Sequence, residues 1–187
     1  MKQICAKANK ENLVSLAKGL PILILLLALV CFVNTHIVRL AIVSGESMYP
    51  TLADRDILLI SQLNYEPSRD DVVLIDISES PVLGQYIVKR VIAIEGDTVR
   101  LDYENNSVFV NGIRLSEPYL NFEQSDPMIA LDATNDVSYQ VPTGTVFVMG
   151  DNRNNSIDSR SETLGMIRQS DIVGKVCRRL SLQQYFS

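Results

Sequence analysis

Three short segments of the chain combine residue types that can attack and cleave a carbonyl compound. The first is VSGESMYPTL, residues 43–52, in which Ser47 lies in a turn that contains glycine and proline. Such a turn can present an exposed hydroxyl beside a free backbone N–H, which are the nucleophile and the oxyanion donor of acyl transfer. An ordinary Ser/Gly/Pro turn has the same composition. The segment therefore predicts a candidate nucleophile that still requires a base.

The second segment, YIVKRVIAIEGDTV, places Lys89 inside an apolar run. Strand residues alternate between faces, so Lys89 is expected to share its face with Ile87 and Val91. Burial of a charged amine is unfavourable, which lowers the pKa of a lysine and leaves a neutral amine that can accept a proton. A lysine that extends along an edge strand to solvent is the structural alternative. The one histidine, His36, precedes all three segments and is a poorer candidate for the base.

The third segment is GDNRNNSIDSR, residues 150–160, which directly follows an apolar run. Its density of Asp, Asn, Ser and Arg predicts a polar network that ties a loop to a catalytic centre. A solvated turn is the alternative interpretation. Two alternations of acid and base favour the network, namely Asp151 with Arg153 and Asp158 with Arg160.

The elements that must position these segments are predicted to be strands. Runs of about eight residues rich in Val, Ile and Leu are separated by turn residues, as in mainly-β domains. Asn111-Gly112 is predicted to supply the two positive-φ residues of a type I′ hairpin turn. The acidic, turn-rich region 116–142 is predicted to be a surface excursion. The predicted strands and hairpin cover residues 56–63, 71–78, 86–94, 107–115, 143–152 and 171–182.

Composition and charge narrow the class of protein. The 187 residues are 47% hydrophobic and 21% charged, which is typical of a folded globular chain. The net charge is +3 before residue 34 and −8 after it. An acidic body argues against nucleic acid as a partner, because phosphate binding requires clustered Lys and Arg. The spacing of the three cysteines fits no zinc pattern, so neither a metal nor a cofactor is expected.

A membrane anchor is predicted near the N-terminus. Leu20 to Val33 are 14 uncharged, mostly apolar residues, and extension back to Leu13 gives a helix of about 32 Å, enough for a hydrocarbon core of about 30 Å. Lys18 can extend its amine to the headgroups. The lysine excess before the run places the N-terminus in the cytoplasm.

A cleavable signal peptide is the alternative for the same run, but no small-residue cleavage site follows it closely. The chain is therefore divided into a cytoplasmic N-terminus, a transmembrane anchor and an extracytoplasmic catalytic domain. These parts cover residues 1–12, 13–35 and 36–187.

Taken together, the three segments resemble the motifs of bacterial type I signal peptidases. The family's S-M-x-P-T-L string is present at residues 47–52, and its Lys-Arg pair is present at Lys89-Arg90. The G-D-N-R-x-N-S-x-D-S-R motif is complete at residues 150–160, and E-P-Y occurs at 117–119. The resemblance implies a signal-peptidase-like β-sheet catalytic domain with one N-terminal transmembrane helix.

The resemblance also implies roles for several of the matched residues. Ser47 is the nucleophile, Lys89 is the general base, and Ser156 hydrogen-bonds and orients the lysine amine. Some family members carry a serine at the position of Gly45, and its hydroxyl helps to bind the oxyanion. Here the oxyanion hole is therefore expected to use the Ser47 N–H and another amide. The supporting ion pairs are Asp151 with Arg90 and Asp158 with Arg160. The residues expected to line shallow apolar substrate pockets are Val43, Met48, Leu52, Ile87 and Val88.

The function implied is cleavage of signal peptides from exported preproteins after small residues. The expected partners are preproteins, the lipid bilayer and the export translocon, with the enzyme in the plasma membrane as a single-pass protein. A mitochondrial inner-membrane-type peptidase has similar motifs and is one alternative. An inactive membrane scaffold of the same fold is another, although the presence of both Ser47 and Lys89 argues against it.

Overall fold

The computed structural model describes residues 20–31, 37–79, 85–120, 128–129 and 136–181. Contacts divide the chain into two units, Met1–Val38 and Arg39–Ser187. His36 lies outside the described residues, as do both ends of the predicted anchor. The three segments that carry the candidate chemistry all belong to the second unit.

In the first unit, residues 20–31 are helical and their side chains are exposed. The exposed side chains are mostly Leu, Ile and Val. Among the described residues, no helix is both long enough and apolar enough to cross a membrane. The predicted anchor at 13–35 includes residues beyond this helix on both sides, so the transmembrane segment remains a prediction.

Strands dominate the second unit, as the sequence predicts. In the described part of this unit, two short 3₁₀ helices cover Arg153–Asn155 and Gln169–Asp171. Within the described residues the strands are β1 (Val38–Ile42), β2 (Ile57–Ser61), β3 (Val72–Asp76), β4 (Tyr86–Ile94), β5 (Thr98–Asp102), β6 (Ser107–Val110), β7 (Ile113–Arg114), β8 (Asp136–Gln140), β9 (Thr145–Met149), β10 (Ile167–Arg168) and β11 (Ile172–Leu180).

The larger sheet has the strand order β1-β2-β11-β3-β4-β9-β10, which places β4 between two antiparallel neighbours. β3, β4 and β9 are rich in Val and Ile and largely buried, as is usual for strands covered on both faces. Within β4, Lys89 is paired with Val73 of β3, and Arg90 with Met149 of β9. The sheet thus carries both basic side chains into the interior.

The smaller sheet has the strand order β7-β6-β5-β8. The predicted hairpin is confirmed, because β6 and β7 pair around Asn111 (φ 52°) and Gly112 (φ 78°). The prediction for 116–142 is wrong at its C-terminal end, where β8 pairs with β5 along its whole length. In β8 only Val137 and Tyr139 are apolar, and both pack against the core. This alternation of apolar and polar residues is typical of a strand, but the acidic, turn-rich residues before it favoured the prediction of a surface loop.

The loop between β1 and β2 is anchored by the apolar core. Met48 and Leu52 are 2% and 3% exposed, and they belong to one cluster with Val43, Leu58 and Ile60. Burial of two large side chains from the same turn limits how far its backbone can move. The loop that contains Ser47 is therefore held against the larger sheet.

Candidate active site

Ser47 lies in the turn between β1 and β2, directly before the buried Met48. The Leu52 N–H donates to the Met48 carbonyl at 2.9 Å, which closes the turn on the C-terminal side of the serine. The Ser47 side chain is half-buried and lines a cleft. The turn thus holds the hydroxyl where a substrate carbonyl can reach it.

Lys89 extends from the middle of β4 to this hydroxyl. Its Nζ lies 2.8 Å from Ser47 Oγ, although the two residues are 42 positions apart. The side chain is only 3% exposed. The buried position therefore favours the interpretation of Lys89 as a desolvated amine over that of a solvent-exposed edge lysine.

Burial lowers the pKa of Lys89 from its ordinary value of 10.5 to about 8. Two carboxylates, Asp158 and Asp151, raise this pKa in part, and the Arg160 guanidinium lowers it. Desolvation is the largest cause, because little water remains to solvate the ammonium. A sizeable fraction of Lys89 is therefore neutral at mildly alkaline pH and can accept the Ser47 proton.

We expect kcat/KM for peptide-bond cleavage to rise with pH through a single ionisation near pH 8, because only the neutral amine is a base. Initial rates at low substrate concentration between pH 6 and 10 measure this limb. His36→Ala is the control and should leave the limb in place. A limb near the ordinary histidine value of about 6.5 that disappears in His36→Ala would identify histidine as the base instead.

We also expect Lys89→Met to be inactive but more stable than the parent near neutral pH. The lowering of the Lys89 pKa from 10.5 to about 8 corresponds to a net cost of about 3 kcal/mol for the charged amine in the folded protein, which methionine removes. Loss of the hydrogen bond to Ser47 offsets about 1 kcal/mol of this gain in stability. With a depressed folded-state pKa, the unfolded chain binds more protons between pH 8 and 10.5. The free energy of unfolding of Lys89→Met should therefore exceed that of the parent by about 2 kcal/mol below pH 8, and the difference should vanish towards pH 10.5.

Denaturant unfolding of the full chain in detergent at several pH values measures this difference in the free energy of unfolding. Methionine is a suitable replacement because it is uncharged, flexible and similar in length. A Met variant less stable than the parent at pH 7 would show that Lys89 is not held at an energetic cost.

The predicted ion pair between Arg90 and Asp151 is present and bidentate. Arg90 Nε and Nη2 donate to the two carboxylate oxygens at 2.8 and 2.6 Å, and both side chains are buried. Thr51 Oγ1 donates to the same carboxylate at 2.5 Å. Asp151 therefore joins three elements: β4, the loop after β9, and the turn that carries Ser47.

The second predicted ion pair, Asp158 with Arg160, lies deeper still. Arg160 Nε and Nη2 donate to the carboxylate at 2.8 and 2.9 Å, and both side chains are at most 1% exposed. Burial favours the protonated acid, but the hydrogen bonds and charge of Arg160 outweigh it and lower the pKa of Asp158. The Gly150 N–H also donates to Asp158, at 3.0 Å. The pair thus folds the loop back onto the end of β9.

A third pair, Arg153 with Glu117, extends the network to the segment that follows β7. Arg153 donates to both oxygens of the Glu117 carboxylate, and Tyr119 donates its hydroxyl to the same group at 2.9 Å. The Tyr119 ring lies under Arg90, with the guanidinium carbon 3.9 Å from the ring centroid. Sequence reasoning noted Glu117 and Tyr119 as a motif but assigned them no contact.

The position of Ser156 differs from the prediction. Its Oγ is buried and has no partner with hydrogen-bond geometry among the described residues, so the expected hydrogen bond to Lys89 is absent. The hydroxyl nevertheless lies near enough to Asp158 to contribute to that residue's lowered pKa. It also lies against Gly150, where an added Cβ would be 2.3 Å from Ser156 Oγ. A supporting role for Ser156 remains a prediction.

The backbone around Gly45 limits the choice of oxyanion donors. Gly45 has φ +92°, and its N–H donates to Asp54 Oδ1 at 2.9 Å. This amide is therefore occupied. The Ser47 N–H, by contrast, donates to no other described residue. It remains the amide that the sequence predicts for the oxyanion.

A cleft of about 230 Å³ opens beside Ser47. Three of the predicted pocket residues, Val43, Met48 and Val88, line it. Two do not: Leu52 packs in the core beneath the turn, and Ile87 packs on the other face of the larger sheet with Val73 and Ile75. Alternation along β4 explains the second correction, because adjacent residues point to opposite faces. Tyr86 and Leu74, which sequence reasoning missed, complete this wall of the cleft.

Asn152 is another residue to which the sequence assigned no role. Its N–H donates to the Ser47 carbonyl at 3.0 Å, and its Nδ2 donates to the Glu46 carbonyl at 3.1 Å. Its place in the polar segment after β9 was the available signal. The contact itself depends on how that loop returns to the turn.

Comparison with known proteins gives a consistent result. The family described as signal peptidase, peptidase S26, matches residues 16–180. Signal peptidase I P of Bacillus subtilis subsp. natto is 37% identical over 173 residues, which cover 90% of this chain and 89% of that protein. Signal peptidase I of Bacillus amyloliquefaciens is 38% identical over 157 residues, which cover 81% of this chain and 78% of that protein.

A crystal structure of a signal peptidase I from Enterococcus faecalis V583 has 32% sequence identity and a TM-score of 0.47, and the match covers 60% of this chain and 97% of that one. The family match includes the Ser47 turn, β4 and the polar segment after β9. Because the match spans most of the chain and relatives at this identity align over most of their length, the chain belongs to the signal peptidase family, peptidase S26.

Proposed function

We propose that this protein is a serine endopeptidase that removes N-terminal signal peptides from exported preproteins, with Ser47 as nucleophile and Lys89 as general base. The observation that carries the assignment of residues is the 2.8 Å separation between Lys89 Nζ and Ser47 Oγ, with the lysine 3% exposed. A nucleophile within hydrogen-bond distance of a desolvated base is the arrangement that acyl transfer requires. Family membership supports the choice of substrate.

In the first half of the reaction, neutral Lys89 accepts the Ser47 proton while Oγ attacks the scissile carbonyl carbon. The carbonyl oxygen becomes an oxyanion, which the Ser47 N–H stabilises with a hydrogen bond. The protonated Lys89 then donates its proton to the leaving amine as the carbon–nitrogen bond breaks. The products of this half are the released mature protein and an ester between Ser47 and the signal peptide.

In the second half, Lys89 is neutral again and accepts a proton from water. The resulting hydroxide attacks the ester carbonyl, and the same proton returns to Ser47 Oγ as the acyl group leaves. A single amine therefore serves both halves. The buried ion pairs of Asp158 and Asp151 hold the backbone on either side of the dyad, since both carboxylates also contact backbone or side chains of the flanking loops.

Family membership supports a preference for small residues before the cut, and the cleft beside Ser47 is where such residues would bind. Val43, Met48 and Val88 line its wall, so an uncharged, apolar side chain next to the scissile bond finds apolar contacts there. We infer that alanine-sized side chains next to the scissile bond enter this cleft and that bulky ones are excluded.

The location we propose is the plasma membrane, with residues 13–35 as anchor and 36–187 outside the cytoplasm. The lysine excess before the apolar run supports this orientation. The lipid bilayer is then a permanent partner, and the export translocon delivers the substrate. Protease added to the outer face of intact cells should digest the catalytic domain and spare the N-terminal lysines. Digestion of the catalytic domain only after the inner face of the membrane is exposed would indicate the opposite topology.

The function is tested by incubating the full chain in detergent with a purified preprotein. We expect one new N-terminus in the product, found by N-terminal sequencing, directly after a small residue. Ser47→Ala is the matched control and should leave the preprotein intact. Absence of cleavage by the parent would favour an inactive scaffold, and cleavage confined to mitochondrial inner-membrane precursors would favour the other alternative.

A further inference from the structure

Asn152 donates hydrogen bonds to the backbone carbonyl of the nucleophile and to that of the residue before it. It lies in the loop after β9, more than a hundred residues from Ser47 in the sequence. Its Nδ2 donates to the Glu46 carbonyl at 3.1 Å, and its N–H donates to the Ser47 carbonyl at 3.0 Å. Two consecutive carbonyls of the turn are thus directed to one asparagine.

The orientation of these carbonyls determines where the Ser47 N–H points. The peptide bond between Glu46 and Ser47 is trans, so its carbonyl oxygen and its N–H lie in one plane and point in opposite directions. Because the Glu46 oxygen is directed to Asn152, the Ser47 N–H is turned away from Asn152. That N–H has no acceptor among the described residues, and Ser47 lines the cleft.

We propose that Asn152 is a positioning residue for the oxyanion site: its side-chain amide holds the Glu46–Ser47 peptide plane so that the Ser47 N–H is oriented before the substrate arrives. The inference rests on the proposed function and adds a residue to it. A donor fixed in advance stabilises the transition state without having to reorganise during the reaction. Asn152 itself does not touch the reacting atoms.

A second hydrogen-bond donor to the Glu46 carbonyl limits the loss of activity expected when the Asn152 amide is removed. The Tyr49 N–H also donates to the Glu46 carbonyl, at 3.0 Å. Removal of the Asn152 amide should therefore loosen the peptide plane without releasing it. Deleting a whole oxyanion donor typically lowers kcat by 10²–10³-fold. Loss of its orientation should cost less, about tenfold.

The experiment compares the full-length parent with Asn152→Ala and with the control Asn155→Ala, all in detergent. Asn155 is the same residue type three positions along the same loop, and it is exposed. Its backbone N–H, which donates to the Asn152 carbonyl at 3.0 Å, is retained in the alanine variant. Rates are normalised to the concentration of folded enzyme. Steady-state cleavage of one preprotein-derived peptide gives kcat, KM and the pH profile. A peptide boronic acid, which adds to the serine oxygen as a tetrahedral adduct, gives the affinity for a transition-state mimic.

We expect Asn152→Ala to lower kcat about tenfold and to weaken boronic acid binding by a similar factor, with KM within about twofold. The rising limb of the pH profile should stay where the parent has it, because the surroundings of Lys89 are unchanged. Asn155→Ala should behave as the parent.

Unchanged kcat in Asn152→Ala, a loss that comes with a displaced pH limb, or an equal loss in Asn155→Ala would each overturn the inference. An inactive parent would instead refute the proposed function. The two failures are therefore distinguishable in the same set of assays.

Discussion

Replacement of Ser47 or Lys89 by alanine is expected to lower kcat/KM for preprotein cleavage by about 10⁴-fold or more. Ser47→Ala removes the atom that attacks the carbonyl, and Lys89→Ala removes the only amine within hydrogen-bond distance of that atom in the described part of the chain. Residues that act as one unit in a nucleophilic mechanism show losses of this size when either is deleted. The double variant should lose no more than the single variants.

Lys89→Arg tests whether the charge state of the base matters. A guanidinium remains protonated in proteins, so the variant retains a positive side chain but cannot accept the Ser47 proton. It should be as inactive as Lys89→Ala. His36→Ala is the control and should retain activity close to that of the parent. Substantial turnover by Lys89→Ala, together with an inactive His36 variant, would refute the assignment of the dyad.

Gly150→Ala is expected to lower kcat/KM by about 100-fold while the protein remains folded. A Cβ at this position would lie 2.5 Å from the Ser47 carbonyl oxygen and 2.3 Å from Ser156 Oγ, closer than such atoms approach in real structures. The Ser47 carbonyl is backbone, so the turn itself must shift to admit the methyl group. A displacement of about 1 Å in a catalytic group can cost about 10² in rate.

Gly165→Ala is a matched control for the backbone effect. Gly165 has φ +60°, so alanine is strained there, but its added Cβ meets nothing within 4 Å. This variant should lose about 1 kcal/mol of stability and keep its kcat/KM. Circular dichroism, melting temperature and steady-state kinetics separate the two cases. A fully active Gly150→Ala enzyme would mean that the turn tolerates the shift and that the close approach is not needed.

Much of the candidate chemistry could be predicted from residue types within short segments. The apolar run around Lys89 predicts a buried strand, and Tyr86–Ile94 is β4 with the same bounds. The Asn111-Gly112 pair predicts its hairpin because few other residues adopt two successive positive φ angles. These features are local, since they depend on the preferences of neighbouring residues and on alternation along one strand.

Strands without a strong apolar pattern were missed. β8 contains Val137 and Tyr139 among polar residues, and pairing with β5 is what orders them into a strand. β1 and β5 were not predicted either. The hydrogen bonds that order β8 come from β5, which is distant in the sequence, so no local pattern reveals them.

The geometry of the site depends on contacts between distant segments. The separation of 42 residues between Ser47 and Lys89, or of 61 between Arg90 and Asp151, carries no information about distance in space. The neighbouring strands β4 and β9 bring two of the segments together, and the turn between β1 and β2 meets them through hydrogen bonds from Lys89 and Asn152 to Ser47. Burial at that place lowers the pKa of Lys89. The sequence therefore determined which residues can react. Only the tertiary structure decided which of them meet, that Leu52 and Ile87 belong to the core, and that Asn152 holds the nucleophile's turn, because hydrogen bonds and desolvation depend on distance in space.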